Sequence, residues 1–215
     1  MNRCFYRLIR LVLSTLYTVL FGFRSFGIER VPKESDPRGV ILAPNHTSYL
    51  DPPVLGIPLK RPVTYLAKDY LFKHWLVGWV LRNIGAYPIK SEEATDFRSI
   101  RGLIRILKQG ACVAVFPEGP RSEDGRFREP EDGLAFLAMK SGAWIVPVYI
   151  EGSYEAFPKG TKKIKRRPIR VHYGEPFIPA DRNSWGEGQA GTRALSLYVM
   201  AEIKKIKENV ESLKC

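Results

Sequence analysis

A chain of 215 residues, 45% apolar and 12% aromatic, has enough hydrophobic material for one well-buried domain and is short for two. Its 34 basic against 22 acidic residues give a formal charge of +12, which favours an anionic partner: a membrane surface, a phosphorylated substrate or nucleic acid. Cys4, Cys112 and Cys215 are far apart and odd in number, and only His46, His74 and His172 accompany them, which argues against a disulfide framework or a zinc-type cluster; the expectation is a reducing compartment and no metal.

Residues 1–27 begin with Arg3, Arg7 and Arg10 and then run uncharged from Leu11 to Phe23, up to Arg24. That run falls short of the roughly 20 residues a spanning helix needs. Gly22 to Gly27 lacks the small-residue cleavage site of a signal peptide. The arginines suit anionic head groups and Phe5, Tyr6, Tyr17, Phe21 and Phe23 suit the acyl boundary, so residues 1–29 are expected to form a monotopic helical anchor, with the domain proper over 30–215. The alternative is a core helix of a soluble domain, for which the length also serves.

Val31 to Arg38 is polar, carries two prolines and reads as a linker into a first strand, Gly39–Ala43. Next come Pro44 and the turn Asn45-His46-Thr47-Ser48-Tyr49-Leu50-Asp51. A histidine and an aspartate five apart would sit about 140° apart around a regular helix, so they meet only if the chain bends. If it bends, imidazole can accept a proton at one ring nitrogen while the carboxylate holds the other and stabilises the imidazolium. The attacking oxygen can then be a substrate hydroxyl, with no serine or cysteine nucleophile. The plainer alternative makes Asp51, followed by Pro52 and Pro53, an ordinary helix N-cap.

A short helix over Pro52–Leu59 and a buried strand over Pro62–Ala67, ending at Lys68, follow. Tyr70–Ile84 is patterned as a helix with a wide apolar face, and Gly85–Lys90 as a brief extended stretch. A helix from Phe97 to Leu107 is stopped by Gly110, and Ala111–Phe116 is a third strand. A helix over Leu134–Lys140 and a fourth strand over Trp144–Ile150 complete an alternation that predicts an α/β domain with a largely parallel sheet. Seven basic residues and no acid fill Lys159–Arg170, read as a solvated edge that also suits anionic lipid. Ile169–Tyr173 is a last strand, Asp181–Gly191 a polar loop, and 192–213 a helix with one apolar stripe.

Directly after the third strand stands Phe116-Pro117-Glu118-Gly119-Pro120-Arg121-Ser122. Turns at the carboxyl edge of strands are where α/β sheets place binding groups, and the His46/Asp51 turn also follows a strand. Arg121 offers a planar fork for phosphate oxygens, and Glu118 could accept a hydrogen bond from a substrate hydroxyl.

The two motifs together resemble the glycerolipid acyltransferase family, most closely its 1-acylglycerol-3-phosphate O-acyltransferases. Gly85-Ala86-Tyr87-Pro88-Ile89-Lys90 and Ile145-Val146-Pro147-Val148-Tyr149-Ile150 look like two further family blocks, so the resemblance covers about residues 35–155. It implies a single domain with a mixed sheet wrapped by helices and a membrane-associated N-terminal helix. It also implies that His46 is the general base and Asp51 its orienter, and that Glu118, Gly119 and Arg121 bind a phosphorylated glycerol acceptor. The implied reaction takes a fatty acyl group from acyl-CoA or acyl carrier protein, as co-substrate, to the sn-2 hydroxyl of lysophosphatidic acid, with no cofactor; the alternatives are another lysophospholipid or glycerol 3-phosphate as acceptor, or a noncatalytic basic protein that binds membrane or nucleic acid. It would run on a phospholipid membrane at the cytoplasmic face, with no nucleic acid partner. The family usually has threonine where Pro120 stands and arginine where Ser91 stands; an acceptor phosphate with close to two charges therefore calls for a cation besides Arg121, and Lys68 and Lys90 are the candidates.

Overall fold

The apolar runs pair into one seven-stranded sheet in a computed structural model of the chain, which describes residues 2–89, 97–179 and 185–214. In chain order the strands are β1 (Arg24–Phe26), β2 (Val40–Pro44), β3 (Val63–Lys68), β4 (Tyr87–Ile89), β5 (Cys112–Ala114), β6 (Trp144–Glu151) and β7 (Arg170–Tyr173). Their spatial order is β1-β7-β6-β2-β5-β3-β4, and every pairing is parallel except β6 with β7. All five residues of β2 are buried, because helices cover both faces of a strand that pairs with β5 on one side and β6 on the other.

One face carries α1 (Arg3–Phe21) and α2 (Asp51–Gly56), whose Tyr17, Phe21, Val54 and Leu55 pack with Val40, Leu42, Val146 and Val148. The other carries α4 (Phe97–Lys108), α5 (Gly133–Ser141) and α7 (Gly188–Ser212), whose Leu107, Leu134, Leu195 and Ile203 meet Ile41, Val113 and Ile145. Alternation along β2 sends Val40 and Leu42 to the first face and Ile41 and Ala43 to the second. A short helix α6 (Ser153–Ala156) follows β6.

The N-terminal helix is firmly started and stopped. Asn2 accepts from the Cys4 and Phe5 amides, and Gly22 takes the left-handed conformation that ends the helix. At 19 residues α1 is long and apolar enough to cross a membrane, longer than its uncharged run suggested. It lies along the domain, however: the Tyr6 hydroxyl accepts the Val63 N–H at 3.0 Å, and Tyr17 and Phe21 are buried. Its other side bears Leu8, Leu11, Val12, Leu16 and Val19, all exposed, with Val19 at 73%. The helix is thus apolar on two opposite sides, one of which the domain covers.

Several elements differ from the sequence expectation. Residues 24–26 form a strand of the sheet, paired with β7 through Arg24↔Arg170 and Phe26↔His172, so the sheet begins before the boundary placed at 29 and 30. Three residues whose partner lies near the other end of the chain leave no periodic trace. The helix expected over Tyr70–Ile84 is broken: a 3-10 turn over Asp69–Lys73 ends at His74, whose extended backbone and ring nitrogen cap α3 (Trp75–Ile84). The stretch read as a linker is pinned by buried Arg61, whose guanidinium donates to the carbonyls of Pro32, Lys33 and Arg38. Part of the expected Asp181–Gly191 loop lies outside the described residues.

Candidate active site

Two loops meet at the carboxyl edge of the central strands. The first follows β2. Asn45 fixes it to the end of β6, accepting the Ile150 N–H at 2.7 Å and donating to the Ile150 carbonyl at 3.1 Å. The chain then bends, and the bend brings His46 Nδ1 to 2.9 Å from Asp51 Oδ2. The same oxygen accepts the Thr47 and Ser48 amides, each at 2.7 Å. Three donors on that one oxygen hold the carboxylate where its side chain is 0% exposed. Asp51 is the first residue of α2, yet its carboxylate turns back to the loop, and the residue before the helix makes no side-chain cap. The plain N-cap reading of Asp51 is therefore set aside.

With Nδ1 donating to Asp51, the proton-accepting nitrogen of His46 is Nε2. The ring is held by stacking on Phe116, with centroids 3.7 Å apart and planes inclined by 21°. Its side chain remains 14% exposed. The loop is braced from behind as well: Thr47 Oγ1 lies 3.1 Å from Ser153 Oγ, and the Ser48 hydroxyl donates to the Phe157 carbonyl at 2.8 Å.

The second loop follows β5 and is tied directly to the first. The Ser122 N–H donates to the His46 carbonyl at 2.8 Å, and the His46 N–H donates to Glu118 Oε1 at 2.9 Å. Glu118 Oε2 accepts the Arg128 N–H at 2.8 Å. The side chain is buried, and that burial raises its pKa above the ordinary glutamate value, against the lowering effect of the two amides. Each of its oxygens accepts a backbone amide, so Glu118 joins the two loops. Gly119 likewise serves the turn. Its φ is +65°, a Cβ there would lie 2.2 Å from Glu131 Oε1, and its N–H donates to the Phe116 carbonyl.

Arg121 does reach the His46 loop. Its guanidinium carbon sits 3.3 Å from the ring centroid of Tyr49, and its Nη1 is buried without a hydrogen-bond partner. A fixed cation with an unspent donor is what an anion requires. Lys68 is exposed at the carboxyl end of β3, three residues beyond Tyr65, the last position paired with β5. Lys90 lies outside the described residues. The sequence reading gave no role to Asn45, Tyr49, Phe116 or Ser122; each sits inside a motif already singled out, but only the fold reveals which partner each one holds.

A family model described as acyltransferase matches residues 23–151. Over 153 residues the chain is 30% identical to the chloroplast 1-acyl-sn-glycerol-3-phosphate acyltransferase of Arabidopsis thaliana, covering 70% of this chain and 42% of that protein. It is 29% identical over 171 residues to the 1-acyl-sn-glycerol-3-phosphate acyltransferase of Bacillus subtilis, covering 79% and 80%. Among solved structures, the crystal structure of PlsC, the 1-acyl-sn-glycerophosphate acyltransferase of Thermotoga maritima, superposes with a TM-score of 0.78 at 28% identity, covering 98% of this chain and 80% of that one. The chain therefore spans less than half the length of the Arabidopsis relative and four fifths of the other two.

Proposed function

The chain belongs to the acyltransferase family, and from that premise we propose that it transfers a fatty acyl group from a thioester, on coenzyme A or acyl carrier protein, to the sn-2 hydroxyl of lysophosphatidic acid. The observation that carries this reading is the His46–Asp51 hydrogen bond, which leaves Nε2 as the basic nitrogen in the same loop that holds the Arg121 guanidinium. The names of the relatives, all acting on 1-acyl-sn-glycerol phosphate, point to the same acceptor.

In this mechanism the acceptor phosphate rests on Arg121, with Lys68 and Lys90 sharing its charge, so that the glycerol hydroxyl reaches His46. Nε2 takes the hydroxyl proton as the oxygen attacks the thioester carbonyl, and Asp51 stabilises the imidazolium that forms. The tetrahedral intermediate collapses, the C–S bond breaks, and the imidazolium returns the proton to the departing thiolate. The products are phosphatidic acid and a free thiol. The reaction runs at the cytoplasmic face of a membrane, against which the exposed side of α1 rests.

The test is incubation with labelled lysophosphatidic acid, lipid vesicles and each acyl carrier in turn, following labelled phosphatidic acid and released thiol. His46→Ala should lower turnover by about 10²–10⁴-fold. Asp51→Asn retains an acceptor for the loop amides but loses the charge opposite the imidazolium, so it too should be strongly impaired. Near-normal activity of His46→Ala would remove the mechanism. No thiol release with any carrier would leave a protein that only binds lipid.

A further inference from the structure

A second cationic site lies away from the crevice, between α1 and the loop that joins α2 to β3. A cavity of about 250 Å³ is lined there by Arg3, Tyr6, Arg7, Arg10, Lys60 and Glu34 among others. An adjoining cavity shares Arg10 and Lys60 and adds Leu11. His46 and Asp51 stand before and at the first residue of α2, whereas Lys60 comes after its last turn, so the cavity and the catalytic loop sit at opposite ends of that helix.

The charges in the cavity are unequal. Arg3 pairs with Glu34 at 3.0 Å, which accounts for the only acid lining it. Arg10 is fixed by one nitrogen, donating to the Leu59 carbonyl at 2.6 Å, and keeps its remaining donors. Among the described residues, the side chains of Arg7 and Lys60 have no hydrogen-bond or ion-pair partner. Beside these cations the adjoining cavity is walled by exposed Leu11 together with Ile57 and Pro58. Cations alone would suit any anion. Cations bordered by an open apolar row suit an amphiphile, with phosphate oxygens on the guanidinium groups and acyl chains along the helix.

We propose that this cavity binds the head-group phosphate of an anionic phospholipid, as a non-catalytic site that seats the protein on the membrane. The proposal rests on the membrane reading of α1 given above and adds a defined lipid site to it.

The test is vesicle flotation of the full chain on phosphatidylcholine alone and on phosphatidylcholine mixed with phosphatidylglycerol. Arg7→Gln with Lys60→Gln is compared with Lys163→Gln and Arg166→Gln, which removes the same charge from the exposed basic run; circular dichroism confirms that each variant is folded. The first pair should weaken binding to the mixed vesicles by about 30-fold, and the second pair by much less. Equal losses in the two pairs would overturn the proposal, since they would mean diffuse attraction without a site. Binding of inorganic phosphate that the Arg7→Gln, Lys60→Gln pair abolishes, with flotation on the mixed vesicles unchanged by that pair, would also overturn it by giving the cavity to a free anion. If the unaltered chain floats on neither vesicle, the membrane reading itself has failed, a result distinct from equal losses in the two variant pairs.

Discussion

Glu118→Gln separates a structural glutamate from a substrate-binding one. In the native site both carboxylate oxygens accept backbone amides, from His46 at 2.9 Å and Arg128 at 2.8 Å. Glutamine can still accept one of these, but its NH₂ then faces the other N–H, donor against donor. Losing a hydrogen bond to a charged group costs about 1.5–3 kcal/mol, while escape from the desolvation that raises the Glu118 pKa returns part of it. The net expectation is a loss of about 1–3 kcal/mol, or roughly 3–10 °C in Tm for a domain of this size. Glu118→Ala, which orphans both amides, should cost about 3–5 kcal/mol, a large share of a stability of about 5–15 kcal/mol.

The pH dependence gives the same experiment a second readout. The folded pKa is raised, so the folded chain holds this proton more tightly than the unfolded one. The desolvation cost is in full force above the folded pKa and is relieved as pH falls through it toward the ordinary glutamate value. The wild type should therefore gain stability relative to Glu118→Gln over that acidic window. Urea unfolding followed by circular dichroism, alongside the acceptor KM, is the assay. An unchanged urea midpoint with a raised acceptor KM would refute the tie between the loops and assign Glu118 to the substrate.

Arg121→Lys loses both the planar fork and the contact with Tyr49, and should raise the acceptor KM roughly tenfold with a smaller effect on kcat. Lys68→Met should raise the same KM while leaving that of the acyl donor unchanged; steady-state kinetics with each substrate varied checks both. Burial lowers the pKa of His172, against the opposing pull of Glu151, where the ring stacks on Phe26 at 4.9 Å. A lowered folded pKa means that the unfolded chain binds the proton better, so stability present above the ordinary imidazole value of about 6.5 is lost as pH falls below it through the folded value. His172→Gln should flatten that slope in denaturant midpoints measured between about pH 7 and 5.

Much of this architecture could be read from pattern because the central strands are continuous apolar runs that helical periods separate. Val40–Pro44, Val63–Lys68 and Trp144–Glu151 lie within a residue or two of where the pattern put them. The pairing of β1 with β7 was not legible, since it depends on two ends of the chain meeting. At the site, the spacing of His46 and Asp51 stated the condition for their contact, a bend between them, and the Thr47 and Ser48 amides on the carboxylate show how that bend is held. The backbone partners of Glu118 were not legible, for a physical reason. Residue type tells that a carboxylate accepts hydrogen bonds, but only burial and the approach of two amides tell whose. Arg121 was chosen for its fork; its seat on Tyr49 belongs to a loop more than seventy residues away in sequence.

The two-sidedness of α1 ties surface residence to folding. Tyr6 and Phe21 are part of the core, and Phe21 continues through Gly22 into the sheet, so removing the helix would open the core. On the proposed membrane reading, lipid that covers Leu8, Leu11 and Val19 would favour the chain whose α1 is docked. By mass action it acts as a ligand of the native state, adding RT ln(1 + [L]/Kd) to its stability, about 2.7 kcal/mol at a hundredfold excess over Kd. On that reading, a protein built this way would leave the membrane whole and less stable than it was there, and the surface on which it works would also help to keep it folded.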